Sequence, residues 1–259
     1  MLTNTFLHAP GVGSITELQL WEAGIRDWDA FLAPDAAVPL PRGRRDIIAP
    51  VLEESRERLA ERDHRYFARV LPAIEHWRAA GEFSDKLGFL DIETTGMGGS
   101  SHPTVIGLFD FADGEFRTWI YGENMHEFAD AIDEYETLVT FFGLGFDLPV
   151  LKAWDPRIQW HQIHVDLCPL LRRVGYRGGL KSVEKQLGIQ RPDEVDGMSG
   201  LDAVRLWQQY RRGNDRALEI LIEYNREDVV NMVRLLQIAS QKSMAFCGWT
   251  GLQPTLLGL

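Results

Sequence analysis

Asp91 and Glu93 stand two residues apart in the run FLDIETTG. Alternate side chains of a β-strand share a face, so this spacing predicts both carboxylates on one face of a sheet, a few ångströms apart. Thr94, Thr95 and Gly96 then let the chain turn away. Asp147 lies in GFDLPVL, at the junction of a strand's outgoing loop and a helix. Asp228 lies in EYNREDVV, with Tyr224 four residues earlier and therefore on the same helical face. Such an acidic set suits phosphodiester cleavage. Two divalent cations about 3.5–4 Å apart stabilise the attacking and the leaving oxygen together. Mg²⁺ and Mn²⁺ take hard oxygen ligands, for which three Asp and a Glu form a natural cage. A phenol beside the cage orients the attacking water; with an ordinary pKa near ~10 it is no general base on its own.

Each residue also has a plainer account. Asp147 serves as a cap for the helix that Pro149 helps to start. Asp228 reads as a surface acid and Tyr224 as a half-buried ring with a wet hydroxyl. Asp91 and Glu93 also suit a simple strand-to-loop transition. Taken singly, these are the better explanations. They do not explain well why all of these residues occur in this order on these elements.

The rest of the chain bounds the chemistry. Its 259 residues are 45% hydrophobic and 25% charged, with 24 Gly and 12 Pro, which excludes disordered and collagen-like classes. Two cysteines, Cys168 and Cys247, lack metal-ligand spacing and exclude a disulfide framework; they read as packed thiols. With no signal-peptide pattern, this usage leads to the expectation of a cytoplasmic protein. The longest apolar stretch, around 137–151, is broken by Asp147 and two glycines, so no membrane span is expected. The balance of 27 Lys and Arg against 38 Asp and Glu gives a net charge of −11. That counts against broad, non-specific coating of a polyanion, though not against an enzyme gripping a few nucleotides through local cations. It also fits a carboxylate-rich metal site, whose acids need a cation to be tolerable neighbours.

Several elements must position these residues. Residues 9–32 form an opening unit: a Gly11-Val12-Gly13 turn, a short helix ending at Gly24, and a second helix capped by Asp27 and carrying Trp28, Phe31 and Leu32. Residues 33–43 read as a Pro-rich linker. Residues 44–81 read as helical, with an apolar stripe through Ile47, Val51, Leu59, Phe67, Val70, Leu71, Ile74 and Trp77. LGFLDIE, TVIGLFDF and EFRTWIY then predict a strand meander. Next come a helix over 124–133, a strand over 137–142, a helix over 147–154 and a strand over 162–166. A run of helices follows to about 240, the last and longest spanning about 215–239. This order predicts an α/β fold, a mixed five-stranded sheet with helices on both faces, behind a small helical N-terminal region.

FLDIETTG, GFDLP and the Tyr-x-x-x-Asp of residues 224–228 closely resemble the three exonuclease motifs of the DEDD 3′–5′ exonucleases, which have a DnaQ-like, ribonuclease H-like fold. The tyrosine is similar to that of the DEDDy branch. Over residues 9–240 the chain looks like the YprB-like group of that superfamily, with segments similar to LPAIEHWR, HVDLCPLLRR and LKSVEKQLGIQR and a helix-hairpin-helix stretch ahead of the nuclease domain. The resemblance implies a helix-hairpin-helix-like unit over 1–35, a linker and helical region over 36–84, an exonuclease domain over 85–243 and a tail over 244–259. It implies that Asp91, Glu93, Asp147 and Asp228 hold two Mg²⁺ or Mn²⁺ ions while Tyr224 positions water. Asp166, at a strand end, matches an acid that supports the ligands from behind; helix capping explains it about as well. Thr94, Thr95, Gly143, Phe146, Arg173 and Lys181 are implied to meet the nucleic acid, a single strand of DNA or RNA with a 3′ end.

The Gly11 and Gly13 turn is similar to a phosphate-binding hairpin, and packing of the unit's aromatics on the core is an equally good account. Arg172, Arg173, Arg177, Lys181 and Lys185 line either a single-strand groove or, more commonly, a solvated helical face. The chain departs from the family where Phe142 precedes Gly143 in place of the usual asparagine. Within the YprB-like group the Tyr224 position is often histidine. The expected activity is 3′–5′ exonucleolytic hydrolysis. A ribonuclease H-type endonuclease and a weakly catalytic nucleic-acid-binding scaffold are the rival readings.

Overall fold

A computed structural model describes residues 1–96 and 101–251. The chain opens with α1 (Ser14–Glu22) and α2 (Trp28–Leu32). Gly24 ends the first with a positive φ of 86°, and Asp27 caps the second by accepting from the Ala30 N–H at 2.7 Å. A left-handed residue after a helix suits glycine, which has no Cβ to clash. After the proline-rich stretch come α3 (Arg42–Ala60) and α4 (His64–Val70), then a 3₁₀ segment, Ala73–Ala79.

The expected helical run over 44–81 is thus broken into three pieces. Arg62 takes a φ of 56° and Asp63 caps α4 through the Tyr66 N–H, so no single periodicity continues through the break. The apolar stripe is corrected accordingly: Ile47 and Ile74 are exposed, while Ile48 and Leu52 are fully buried. Leu2, Phe6, Leu20, Trp21, Trp28, Phe31, Ile48, Leu52, Phe67 and Phe83 share one core. The indole N–H groups of Trp21 and Trp28 donate to the carbonyls of Asn4 and Thr5 (2.9 and 2.7 Å), so both rings are buried without an unpaired donor.

The sheet is built from β1 (Leu87–Thr94), β2 (Pro103–Asp110), β3 (Phe116–Ile120), β4 (Thr137–Thr140) and β5 (Ile163–Asp166), in the order β3-β2-β1-β4-β5. β1, β2 and β3 pair antiparallel, whereas β1–β4 and β4–β5 pair parallel. The helices between and after them are α5 (Phe128–Ile132), α6 (Asp147–Trp154), α7 (Leu167–Arg173), α8 (Leu180–Gln186), α9 (Gly200–Tyr210) and α10 (Asp215–Phe246). α10 runs past the expected end near 239.

Alternation along β1 decides which helices cover which face. Leu87 and Phe89 pack with Leu170, Leu171, Val183, Val229 and Met232 of α7, α8 and α10. Leu90 and Ile92 point the other way, onto Phe128, Ile132, Leu148 and Leu151 of α5 and α6. Two buried faces favour the β-branched and aromatic residues that fill these strands. No helix among the described residues is long and apolar enough to cross a membrane.

Candidate metal centre

The two-residue period that points Leu87 and Phe89 toward α10 also points Asp91 and Glu93 there, near the C-terminal end of β1. α10 answers with Tyr224, Asn225 and Asp228, all buried. One oxygen from each of Asp91, Glu93 and Asp228 falls within 4.8 Å of the others. Asp147 begins α6, is 3% exposed, and reaches β1, where its Oδ1 accepts from the Ile92 N–H at 3.2 Å.

Clustering four acids away from water is unfavourable, and their pKa values show it. Burial, followed by the charges of Asp147, Asp228 and Glu93, pushes Asp91 well above the carboxylate range. Burial and then Asp228 do the same to Glu93. Asp147 is pushed up to about 7, mainly by burial. Burial also raises Asp228, against the pull of Arg191 and Lys181. All-oxygen donors held close against their own repulsion are what a hard divalent cation stabilises, so the donor set fits Mg²⁺ or Mn²⁺.

Three residues that the sequence analysis did not single out, or placed only generally, complete the cluster. Asn225 is fully buried and its Nδ2 donates to Asp91 Oδ2 at 2.9 Å. Gly107, paired with Asp91 across the sheet, makes room for it: a Cβ there would lie 1.8 Å from Asn225 Oδ1. Arg191, whose side chain is 4% exposed, brings Nη2 to 2.5 Å from Asp228 and holds Glu184 with two bonds of 2.7 and 2.8 Å. The local signal for Asn225 was its place beside Tyr224. Arg191, an arginine in a loop, had only its place at the end of LKSVEKQLGIQR, a segment quoted for its resemblance but given no role. Lys181 donates to the Tyr224 hydroxyl and lies 4.1 Å from the centre of its ring. Burial lowers the Lys181 pKa, while burial and the charges of Asp228, Glu93 and Asp91 raise that of Tyr224. A cavity of about 280 Å³ opens between Asp91, Phe141, Lys181, Tyr224 and Asp228. A second of about 430 Å³ adjoins it at Lys181 and continues past Lys185, Gln190 and Arg191.

The other expected site residues divide. Thr94 donates its hydroxyl to the Gly96 carbonyl at 2.7 Å, and the Thr95 hydroxyl accepts from the His102 N–H, so both hold the turn after β1. Gly143 lies in the turn before α6, where a Cβ would meet Thr140 Oγ1 at 2.1 Å, and Phe146 precedes Asp147 and packs on the α5–α6 side of the core. Asp166 caps α7 through the Cys168 N–H and also accepts from the Phe142 and Leu144 N–H groups, at 2.8 and 3.3 Å. It braces the turn that carries Asp147.

Arg173 is not brought to the cluster; its guanidinium pairs with Glu75 and stacks over Phe246. Gly11 and Gly13 belong to the N-terminal unit. Gly11 takes a φ of 71° and its carbonyl accepts from Arg44, and Gly13 is the residue before α1.

A family B DNA polymerase from the hyperthermophilic archaeon Pyrobaculum calidifontis is similar in structure, with a TM-score of 0.47 at 14% identity. The match covers 66% of this chain and 26% of the polymerase chain. No curated protein matches the sequence. The RNase H superfamily model matches residues 88–240, from β1 through most of α10 and more than half of the chain. The five-stranded mixed sheet with its helices is an RNase H-like fold, and the chain belongs to the RNase H superfamily.

Proposed function

We propose that the protein is a 3′–5′ exonuclease of the DEDDy type, hydrolysing single-stranded DNA or RNA with two bound Mg²⁺ or Mn²⁺ ions. The observation that carries this reading is the convergence of Asp91, Glu93 and Asp228 within 4.8 Å, with Asp147 hydrogen-bonded to the same strand. Bound there, divalent cations would polarise the scissile phosphate and lower the pKa of an attacking water. Asp91, Glu93, Asp147 and Asp228 would hold them. Asn225 orients Asp91, and Arg191 orients Asp228.

Tyr224 stays a neutral phenol. Because Lys181 donates to its oxygen, its own proton is free to hold a water or a phosphate oxygen. Thr94 and Thr95 at the end of β1, and Gly143 and Phe146 in the turn before α6, are proposed to meet the strand. Gly11 and Gly13 are proposed as a more distant phosphate contact.

The test is digestion of a 5′-labelled linear strand beside a circular strand in Mn²⁺. Stepwise shortening of the linear strand with the circle intact is expected. Cutting of both identifies a ribonuclease H-type endonuclease instead, and loss of neither identifies a binding scaffold.

In the same assay Tyr224→Phe is expected to slow turnover by about tenfold to a few hundredfold, or roughly 1.4–3.5 kcal/mol. The hydroxyl is asked only to hold a water. Mn²⁺ affinity by calorimetry should therefore match the wild type, and a large loss of metal binding would assign Tyr224 to the ligand set.

A further inference from the structure

Phe142 and Leu144 are 54% and 57% exposed, yet they occupy the turn that leads directly into Asp147. The turn is held rather than loose. Phe142 has a φ of 68°, a left-handed conformation that bulky residues rarely adopt. The Asp166 carboxylate clamps the Phe142 and Leu144 N–H groups from beneath. Gly145 gives the ring its seat: a Cβ there would lie 2.5 Å from Phe142 Cζ. The ring therefore rests on backbone two residues before Asp147, with more than half of it facing solvent. Phe141, its neighbour in sequence, lines the cavity that contains Asp91, Tyr224 and Asp228.

Core packing does not account for this. A strained backbone is retained where the surroundings enforce it, and here the enforced conformation holds an aromatic ring out of the core, on the turn that leads into Asp147. We propose that Phe142 is a stacking platform for an unpaired nucleobase of the strand whose phosphate reaches the carboxylates, with Leu144 as its apolar rim. The inference rests on the nuclease reading above. Charge supports it: with a net charge of −11 the protein has little general attraction for phosphates, and stacking supplies affinity independently of charge. Every base has a π-face, so the platform would tolerate any sequence at its position.

The test uses the full chain and 5′-labelled strands of DNA and of RNA, each about ten nucleotides long, a length typical of single-strand sites. One strand carries all its bases; others lack the base at one of the last three positions in turn. Affinities are measured by fluorescence anisotropy in Ca²⁺. Wild type is expected to bind the complete strand about fivefold to a hundredfold more tightly than at least one abasic strand. Phe142→Ala should erase that difference and Phe142→Trp should keep it. Phe142→Gly, which meets the positive φ without strain, should erase it with the melting temperature retained. The proposal is overturned if no abasic position matters to wild type, or if Phe142→Ala still discriminates. It is overturned too if Phe142→Gly weakens complete and abasic strands by the same factor. Digestion of the same strands in Mn²⁺ separates the two failures. Shortening from the 3′ end with Phe142 variants that bind like wild type removes this inference alone, whereas neither binding nor cutting removes the nuclease reading with it.

Discussion

Replacing Asp91 with asparagine is expected to leave a folded protein that degrades a labelled strand about a thousandfold more slowly or worse, on the order of 4 kcal/mol of lost transition-state stabilisation. The substitution keeps the side chain's volume, and its amide oxygen can still accept from Asn225. What disappears is one ligand charge at the centre of the cluster. In the metal-free protein that charge is unfavourable, since burial and the neighbouring acids push the Asp91 pKa upward. The melting temperature in EDTA should therefore equal or exceed that of wild type, while the gain on adding Mn²⁺ shrinks. Single-turnover rates and thermal melts with and without Mn²⁺ read both effects on one preparation. Near-wild-type rates in Asp91→Asn would remove the two-metal mechanism.

Arg78→Met is expected to give the largest loss of stability. Arg78 is 1% exposed and pairs with Glu75 at 2.7 Å and with Glu17 at 3.1 Å. Glu17 comes from α1, whereas Arg78 precedes the sheet, so the pair joins the N-terminal unit to the body of the protein. Glu17 also accepts from the Thr5 hydroxyl and the Phe6 N–H, which fixes the chain ahead of the Gly11 turn. Without Arg78, Glu75 retains Arg173. Glu17 retains no cation, and burial already raises its pKa. Leaving a buried charge without its partner costs about 3–5 kcal/mol, or roughly 6–20 °C in melting temperature for a chain of this size. The double variant Arg78→Met with Glu17→Gln should recover part of that loss by removing the stranded charge. A single variant that melts within a degree or two of wild type would show the pair to contribute little.

The two predictions differ in how much of their basis was legible in the sequence. Asp91 and Glu93 were placed on one face by the period of a strand, and Tyr224 and Asp228 by the period of a helix; both are local geometry that any short segment carries. The α/β order of elements was legible for the same reason, as was Asp27 capping α2. Residues 44–81 were less legible, because an apolar stripe can be drawn through either Ile47 or Ile48. The break at Arg62 and the core it must face decide between them.

By itself, then, the sequence determined the acids, the elements that carry them and the mixed five-stranded α/β class, while the strand order came from the fold. Folding decided which partners those acids meet. Asn225 reaches Asp91 across 134 positions, through space that Gly107 leaves open on a neighbouring strand. Arg191 comes from a loop to Asp228, Lys181 from α8 to the Tyr224 hydroxyl, and Arg173 leaves the groove expected of it for Glu75. Side-chain period reports direction within one element. Charge pairing, desolvation and steric room are set by a second element packed against it, and no spacing along the chain records which element that will be.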